Sequence, residues 1–456
     1  MSSWCARATA LIFCGVATSS CFAGEGTETI ESAPAAPAGP AAPIGPTGPT
    51  IPDEPPTVDV RPAPEGVPSL QMSPNFISPA LAFGGYFPTP QMESGAIRVE
   101  PFTIRATVNT GIGYDDNVAL TTTNKISSMF FTLAPSVVVG LEGATQRYYA
   151  LYRGNYGTYS SASGSNYENH NFGLHAFNEW SARLRTAAQY DFLRGNDPRG
   201  STETAIQAPD FWNLNTLRGT VTYGAAGAPA WISANLAYLN RRYTSNREVT
   251  AIRDYDRWDV GGQFSYRVAP KTRASVEIIH SDIAHQRQPL ADSTENRYLV
   301  GLDWEATAKT QGRVRVGYLT RDFSDPARET FSAATYEATA TWSPMPFSVV
   351  ALNASRTAAE AIEAGSNLVL VDVASVSWSH SWFERVRSTV GYLHGQQKHE
   401  GIGRSDTYQT FDAKLSYGIH RRIRLGLQFR HDTRDSPEPG FEYRRNLTLI
   451  TLESAL

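Results

Sequence analysis

Beyond residue 21 the chain has no cysteine: Cys5, Cys14 and Cys21 are the only three. The remaining 435 or so residues can therefore hold no disulfide and no thiol chemistry. Lysine is almost as scarce. Lys125, Lys271, Lys309, Lys398 and Lys414 are the five among 40 basic residues, so arginine supplies nearly all the positive charge. Net charge is small, formally -4, which argues against a nucleic-acid partner. After the N-terminus no apolar run reaches the ~18 residues of a membrane-crossing helix. With 18% charged residues and a mean hydropathy of -0.32, a helical membrane protein is excluded. A transmembrane β-barrel is not excluded, because its strands are polar at every second residue. Aromatic residues are plentiful, with 21 Tyr, 20 Phe and 9 Trp.

Arg7, the apolar stretch Ala8 to Val16 and the small residues leading to Cys21-Phe22-Ala23 read as an export signal over 1–23, processed before Gly24. Lipidation of Cys21 is the alternative, which Thr18-Ser19-Ser20 suits poorly. Residues 24–100 read as a periplasmic tail, Pro-rich and disordered as far as about Pro68, since Pro, Ala and Gly dominate and cannot bury a core. From Ser69 apolar residues return (Phe76, Leu81, Phe83, Tyr86, Phe87) between Pro74, Pro79, Pro88 and Pro90. That segment is either a plug for a barrel lumen or a linker.

From Phe102 onward the pattern has period 2. Phe411, Ala413, Leu415 and Tyr417 alternate with Asp412, Lys414 and Ser416. After a short turn Ile423, Leu425, Leu427 and Phe429 alternate with Arg422, Arg424, Gln428 and Arg430. This is the repeat of a strand with one apolar and one charged face. Eighteen such segments run from 102–116 to 440–455, among them 182–194, 383–398, 404–419 and 420–434. Short connections such as Val268-Ala-Pro-Lys271 and Ser343-Pro-Met-Pro346 come after even-numbered segments. Longer polar ones such as Gly195 to Asp210 and Asn246 to Asp254 come after odd-numbered segments. The expected fold is therefore all-β, a transmembrane antiparallel up-and-down β-barrel of about 18 strands over residues 101–456. Tyr190, Phe192, Trp342, Trp378, Tyr417 and Phe429 would form its interfacial girdles. A soluble sandwich or propeller would need shorter strands buried on both faces.

The polar face carries the candidate lumen-lining residues. Arginines recur at the short-turn end of odd segments: Arg183 and Arg185, Arg313 and Arg315, Arg385 and Arg387, Arg422 and Arg424, with Arg273 alone in its segment and Arg105 and Arg430 on the same face. Even segments place Asp303, Glu305, Glu337 and Asp412 opposite them. One reading is cross-strand ion pairs in lumen water, each contributing up to about 1 kcal/mol. The other is an arginine field that holds anionic groups in transit. The nine histidines are scattered, and no nucleophile constellation or metal-ligand spacing emerges, so neither an enzyme nor a cofactor is expected. Asp115-Asp116-Asn117 reads as a turn, with loop-oxygen Ca²⁺ ligation as the alternative.

Val99-Glu-Pro-Phe-Thr-Ile-Arg105, Gly113-Tyr-Asp-Asp-Asn-Val118, Asp197-Pro-Arg-Gly-Ser-Thr202, Tyr298 to Thr310, Val316 to Phe323 and Arg445 to Leu456 together resemble the putative beta-barrel porin 2 family. These are outer-membrane barrels associated with exopolysaccharide and capsule biosynthesis. The resemblance spans about 100–456. It implies a pore in the outer membrane of a Gram-negative bacterium, with outer-membrane lipid around it; from the pattern of connections, the short turns and both barrel ends would face the periplasm. It also implies a secreted exopolysaccharide or capsular polysaccharide as cargo, handed over by inner-membrane or periplasmic export machinery. A small-solute diffusion porin is the alternative. The chain ends in Leu456 rather than in the aromatic that many such barrels carry.

Overall fold

The structure, a computed structural model, describes residues 97–198, 208–307, 309–361 and 365–455. The export signal and nearly all of the 24–100 segment, including its plug reading, lie outside them. The described part of that segment, Ile97–Val99, is a short strand paired with Phe102–Ile104.

Eighteen long strands make up the wall, beginning with β1 Phe102–Asp115, β2 Ser128–Glu142, β3 Gln146–Tyr159, β4 Tyr167–Glu179, β5 Leu184–Asp197, β6 Asp210–Tyr223, β7 Ala230–Tyr243, β8 Tyr255–Ala269 and β9 Thr272–His285. Its second half is β10 Ser293–Thr307, β11 Thr310–Phe323, β12 Phe331–Met345, β13 Ser348–Ala359, β14 Leu368–Phe383, β15 Val386–Glu400, β16 Arg404–His420, β17 Ile423–Asp435 and β18 Tyr443–Ala455. Each pairs antiparallel with its sequence neighbours, and β18 returns to β1 with Leu449 opposite Gly113 and Glu453 opposite Asn109. The sheet is closed at the β18–β1 seam, and its strands are paired on both sides apart from the stretch above Tyr336 where β12 and β13 part.

The connections sort onto two rims. Two-residue turns such as Pro270-Lys271 and Phe347 with its neighbour Pro346 come after even strands, while the segments between odd strands and their successors are mostly longer. Two exceptions stand out: Gly224 to Pro229 on the short-turn rim, and Gly401 to Gly403 on the loop rim, where Gly401 and Gly403 adopt positive φ. A three-residue reversal there needs left-handed backbone, which glycine adopts without steric cost.

Register fixes which residues share a face. Near the short turns the outward residues are apolar and exposed, as with Leu217, Ile232, Val260, Val276, Val300 and Val316. Aromatic rings mark two levels on this outer wall: Trp258 and Tyr266 in β8, Tyr298 and Trp304 in β10, Tyr336 and Trp342 in β12, Phe411 and Tyr417 in β16. Six or eight residues part the members of each pair. At ~3.3 Å per residue and a tilt near 40°, the two levels lie about 15–20 Å apart, within an apolar band of ~25 Å.

Toward the loop rim the polarity inverts. Outward positions become Asn213, Asn215, Asn240, Arg242, Asp256, Gln396 and Lys398, while the inward Leu193, Trp212, Leu214, Leu239, Tyr243, Tyr255 and Ile283 form one buried apolar cluster. A fourteen-residue strand at that tilt rises about 35 Å, so roughly a third of it stands clear of the hydrocarbon. There the wall is wet outside and packed inside, like a soluble protein.

Ala340 faces outward between the two aromatic levels and Thr341 faces inward. Ala340→Arg is expected to cost roughly 2–4 kcal/mol in urea unfolding from bilayers, and Thr341→Arg under about 1 kcal/mol. Equal losses would contradict the assigned faces.

Candidate functional site in the barrel lumen

In the short-turn half of the lumen Arg273, Asp303, Arg313 and Arg315 are partly exposed, while Glu277, Lys414 and Glu453 are buried, and several of these side chains pair across strands. Arg313 donates to Asp303, its direct register partner on β10. Arg315 reaches past β10 to Glu277 on β9, 3.3 Å away. Gly301 stands between them, and a Cβ there would lie 3.1 Å from Arg315 Cγ, so glycine leaves the passage open. Glu337 meets Arg297 at 3.6 Å, Asp412 accepts from Gln428 at 2.5 Å and Arg387 donates to Ser381 at 3.3 Å.

The loop half is dense. Glu295, fully buried on β10, accepts from Arg321 at 2.7 Å and from Arg257 at 3.2 Å, and Arg297 lies 3.7 Å away. Arg257 also binds Asp259 at 2.7 Å. A second network joins Asp406 to Arg404 and Arg434, each at 2.6 Å. A third joins Asp432 to Arg430 at 2.8 Å and Arg445 at 2.5 Å, with Asp115 3.8 Å from Arg445. Trp212 is buried with its Nε1 donating to Asp197, and Arg241 lies over its ring. These groups come from β1, β5 to β8, β10, β11 and β16 to β18, and most of them are buried, so side chains pack the lumen beside those strands.

The β13–β14 hairpin completes the filling. The β12–β13 ladder stops at Tyr336 opposite Arg356, although both strands continue. Above that point Ala358, Leu368 and Leu370, which have the outward parity, pack on Leu319, Phe323, Phe331 and Ala333, which face inward from β11 and β12. The hairpin tip has therefore parted from β12 and leans inside it, while β14 stays paired with β15 as far as Leu368 opposite Glu400. Its other face, Ala359, Val369 and Val371, packs on Leu393 and Tyr408. At its tip Glu360 accepts from Arg321 at 2.8 Å and lies 3.5 Å from His285 of β9, on the far side of the wall segment it covers.

Of the residues singled out in the sequence, Arg105, Arg185, Arg273, Arg313, Arg315, Arg387, Arg424, Arg430, Asp303, Glu305, Glu337 and Asp412 hold inward register positions. Arg183, Arg385 and Arg422 do not stand on strands. They lie exposed in the turns before β5, β15 and β17, where the chain reverses although the alternation of residue types continues through them. Asp115-Asp116-Asn117 serves chain geometry: Asp115 accepts from the Asn117 amide at 2.9 Å, and Asp116 accepts from the Asn446 amide and side chain, both at 2.7 Å. Glu295, Arg257, Arg321, Glu360, Asp406 and Arg434 were not anticipated. Glu295 and Arg297 beside Arg321 do alternate in the sequence as the short-turn arginines do.

A closed eighteen-stranded barrel with an apolar belt, two aromatic levels and a polar inner face is an outer-membrane β-barrel of the porin type. The chain belongs to the Putative beta-barrel porin 2 family, whose profile matches residues 89–455. A search of curated proteins gives no match. Among solved structures the chain is similar to Pseudomonas aeruginosa OccK3 (12% identity, 77% of this chain and 96% of that one, TM-score 0.43) and to the copper transporter OprC (8% identity, 79% and 82%, TM-score 0.45). It is also similar to the FrpB iron transporter of Neisseria meningitidis (10% identity, 73% of this chain, TM-score 0.39), of which it spans 62%.

Glu295→Gln would leave Arg257 and Arg321 buried without that carboxylate, and urea unfolding should register a loss of about 3–5 kcal/mol. Asp303→Asn, in the half-exposed short-turn region, should lose at most about 1 kcal/mol. Similar losses at both sites would contradict a wet half and a packed half.

Proposed function

We propose that this barrel is an outer-membrane passage for a secreted polysaccharide, an exopolysaccharide or capsular polymer, which enters from the short-turn side. The observation that carries the reading is the contrast along the lumen: a half-exposed, arginine-rich entrance leading to a loop half packed shut by a folded-in hairpin. Barrels of sixteen to eighteen strands are wide enough for an aqueous channel. A conduit of polymer width must be closed when empty, or the periplasm would leak. The short turns and both chain ends of the barrel would face the periplasm, where export machinery delivers the chain. The pore performs no chemistry. Conduction is passive, and export is driven from the inner-membrane side.

The packed loop half also favours a second reading, a small-solute channel with a narrow aperture. The two part in the cell. On the polymer reading, deletion of the gene abolishes surface polysaccharide while cytoplasmic repeat units are still made; on the small-solute reading, deletion slows growth on particular nutrients and leaves surface polymer intact. In planar bilayers the wild-type barrel should be quiet, Glu360→Gln should raise its open probability several-fold, and oligosaccharides should block the open state. A wild-type barrel that is already open and indifferent to sugars would overturn the polymer reading.

A further inference from the structure

At the short-turn mouth, away from the loop-half ion-pair networks, two arginines lie over one indole and a third stands beside them. Arg273 lies over the Trp231 ring with its Cζ 3.4 Å from the centroid, and Arg185 lies over the same ring at 4.9 Å. Arg267 is the direct cross-strand partner of Arg273 on β8. The terminal nitrogens of Arg267 and Arg273 meet at a single acceptor, the Ala228 carbonyl, at 3.4 and 2.9 Å. All four side chains hold inward register positions on β5, β7, β8 and β9, and Trp231, Arg267 and Arg273 are partly open to the lumen.

Arg185 has the carboxylate of Glu179 as its register partner on β4, but the charge of Arg267 and Arg273 is not balanced in this way. Like charges directly opposite one another destabilise a strand pair. Among the described residues, Arg267 and Arg273 have carbonyl partners, those of Ala226, Ala228 and Pro229, and no carboxylate within ion-pair distance. Asp303 is the register partner of Arg273, yet it accepts from Arg313. Holding the six-residue turn Gly224 to Pro229 requires donors, which amides or hydroxyls supply without charge. Each guanidinium has five N–H donors in a planar fork, so donors remain for an anion after the carbonyls are served. The indole keeps the guanidinium planes stacked and restricts their rotamers.

We infer that Arg185, Arg267, Arg273 and Trp231 form an entrance site for the carboxylate of an acidic sugar unit. This deepens the polysaccharide reading and rests on it: the cargo is a polymer bearing uronic-acid-type residues, captured at the periplasmic mouth. A carboxylate bound between Arg267 and Arg273 would neutralise the cross-strand repulsion, and the ring of the sugar would lie toward the water of the lumen. The fork favours a planar carboxylate over a point-like anion, and arginine favours it over lysine.

The test is calorimetric titration of the detergent-solubilised full-length barrel with oligogalacturonate and with a neutral gluco-oligosaccharide of equal length, repeated with inorganic phosphate. The site predicts that oligogalacturonate binds the wild type at least tenfold more tightly than the neutral oligomer. Arg267→Gln with Arg273→Gln should remove that preference, while Arg273→Lys, which keeps the charge and loses the fork, should retain only part of it. Lys398→Gln, an exposed outward cation on β15 outside the site, should change the preference less than twofold. Retention of heat-modifiable migration on gels checks that each variant is folded. If the double variant keeps the acidic preference, or phosphate competes as well as the uronate, the assigned site is wrong and the polysaccharide passage stands. If neither oligosaccharide binds or blocks the wild-type barrel, the passage itself is wrong.

Discussion

In hydrocarbon each unpaired backbone amide or carbonyl costs several kcal/mol, and a sheet that closes on itself leaves no edge on which to expose them. The pairing of β18 with β1 is the contact that removes both edges. Every other feature is a consequence of satisfying that ring of ladders. Once the edges are gone, a strand has two faces to dispose of, and the period-2 pattern assigns one to lipid and the other to the interior. Antiparallel register within that ring also sets some arginines of one strand beside acids of the next, as Arg313 meets Asp303.

The strand plan was readable because a lipid face demands unbroken alternation. All eighteen segments in the sequence correspond to strands, with ends displaced by a few residues where turns and alternation overlap, as at Arg183, Arg385 and Arg422. The filling of the loop half was less readable. Period 2 says that two faces differ, not which one is inside. Trp212 and Leu214 alternate with Asn213 and Asn215 as regularly as any lipid-facing pair, yet here the apolar members point inward. The rule changes where the strands leave the membrane, and no residue announces the boundary. One signal was present: Leu368-Val369-Leu370-Val371 is apolar at both parities, the mark of a strand buried on two sides, which the folded-in hairpin is.

The two halves of the lumen differ in the kind of interaction that holds them. Near the short turns ion pairs are solvated and individually weak, so the wall there is held by its ladders and its lipid face. In the loop half carboxylates such as Glu295 and Asp406 are shared among arginines out of water, where loss of one partner is severe and the arrangement has few alternatives. The hairpin is attached to it through Glu360 alone among its charged tip residues in the described structure, with Arg321 and His285 as partners. Between those partners and the apolar contacts of Leu368 and Leu370, the closed arrangement is defined by few groups.

The position of that hairpin is the central claim, and thiol accessibility tests it most directly. Residues 22–456 contain no cysteine, so a single introduced one is the only thiol of the barrel. Ala358 has the outward parity but is buried against β11 and β12, whereas Lys398, the register partner of Leu370 on the same face, is exposed. With a water-soluble maleimide added to purified outer-membrane fragments, where both rims are accessible, Lys398→Cys should label rapidly and Ala358→Cys at least tenfold more slowly. Equal rates would place the hairpin in the wall and leave the loop half of the lumen open.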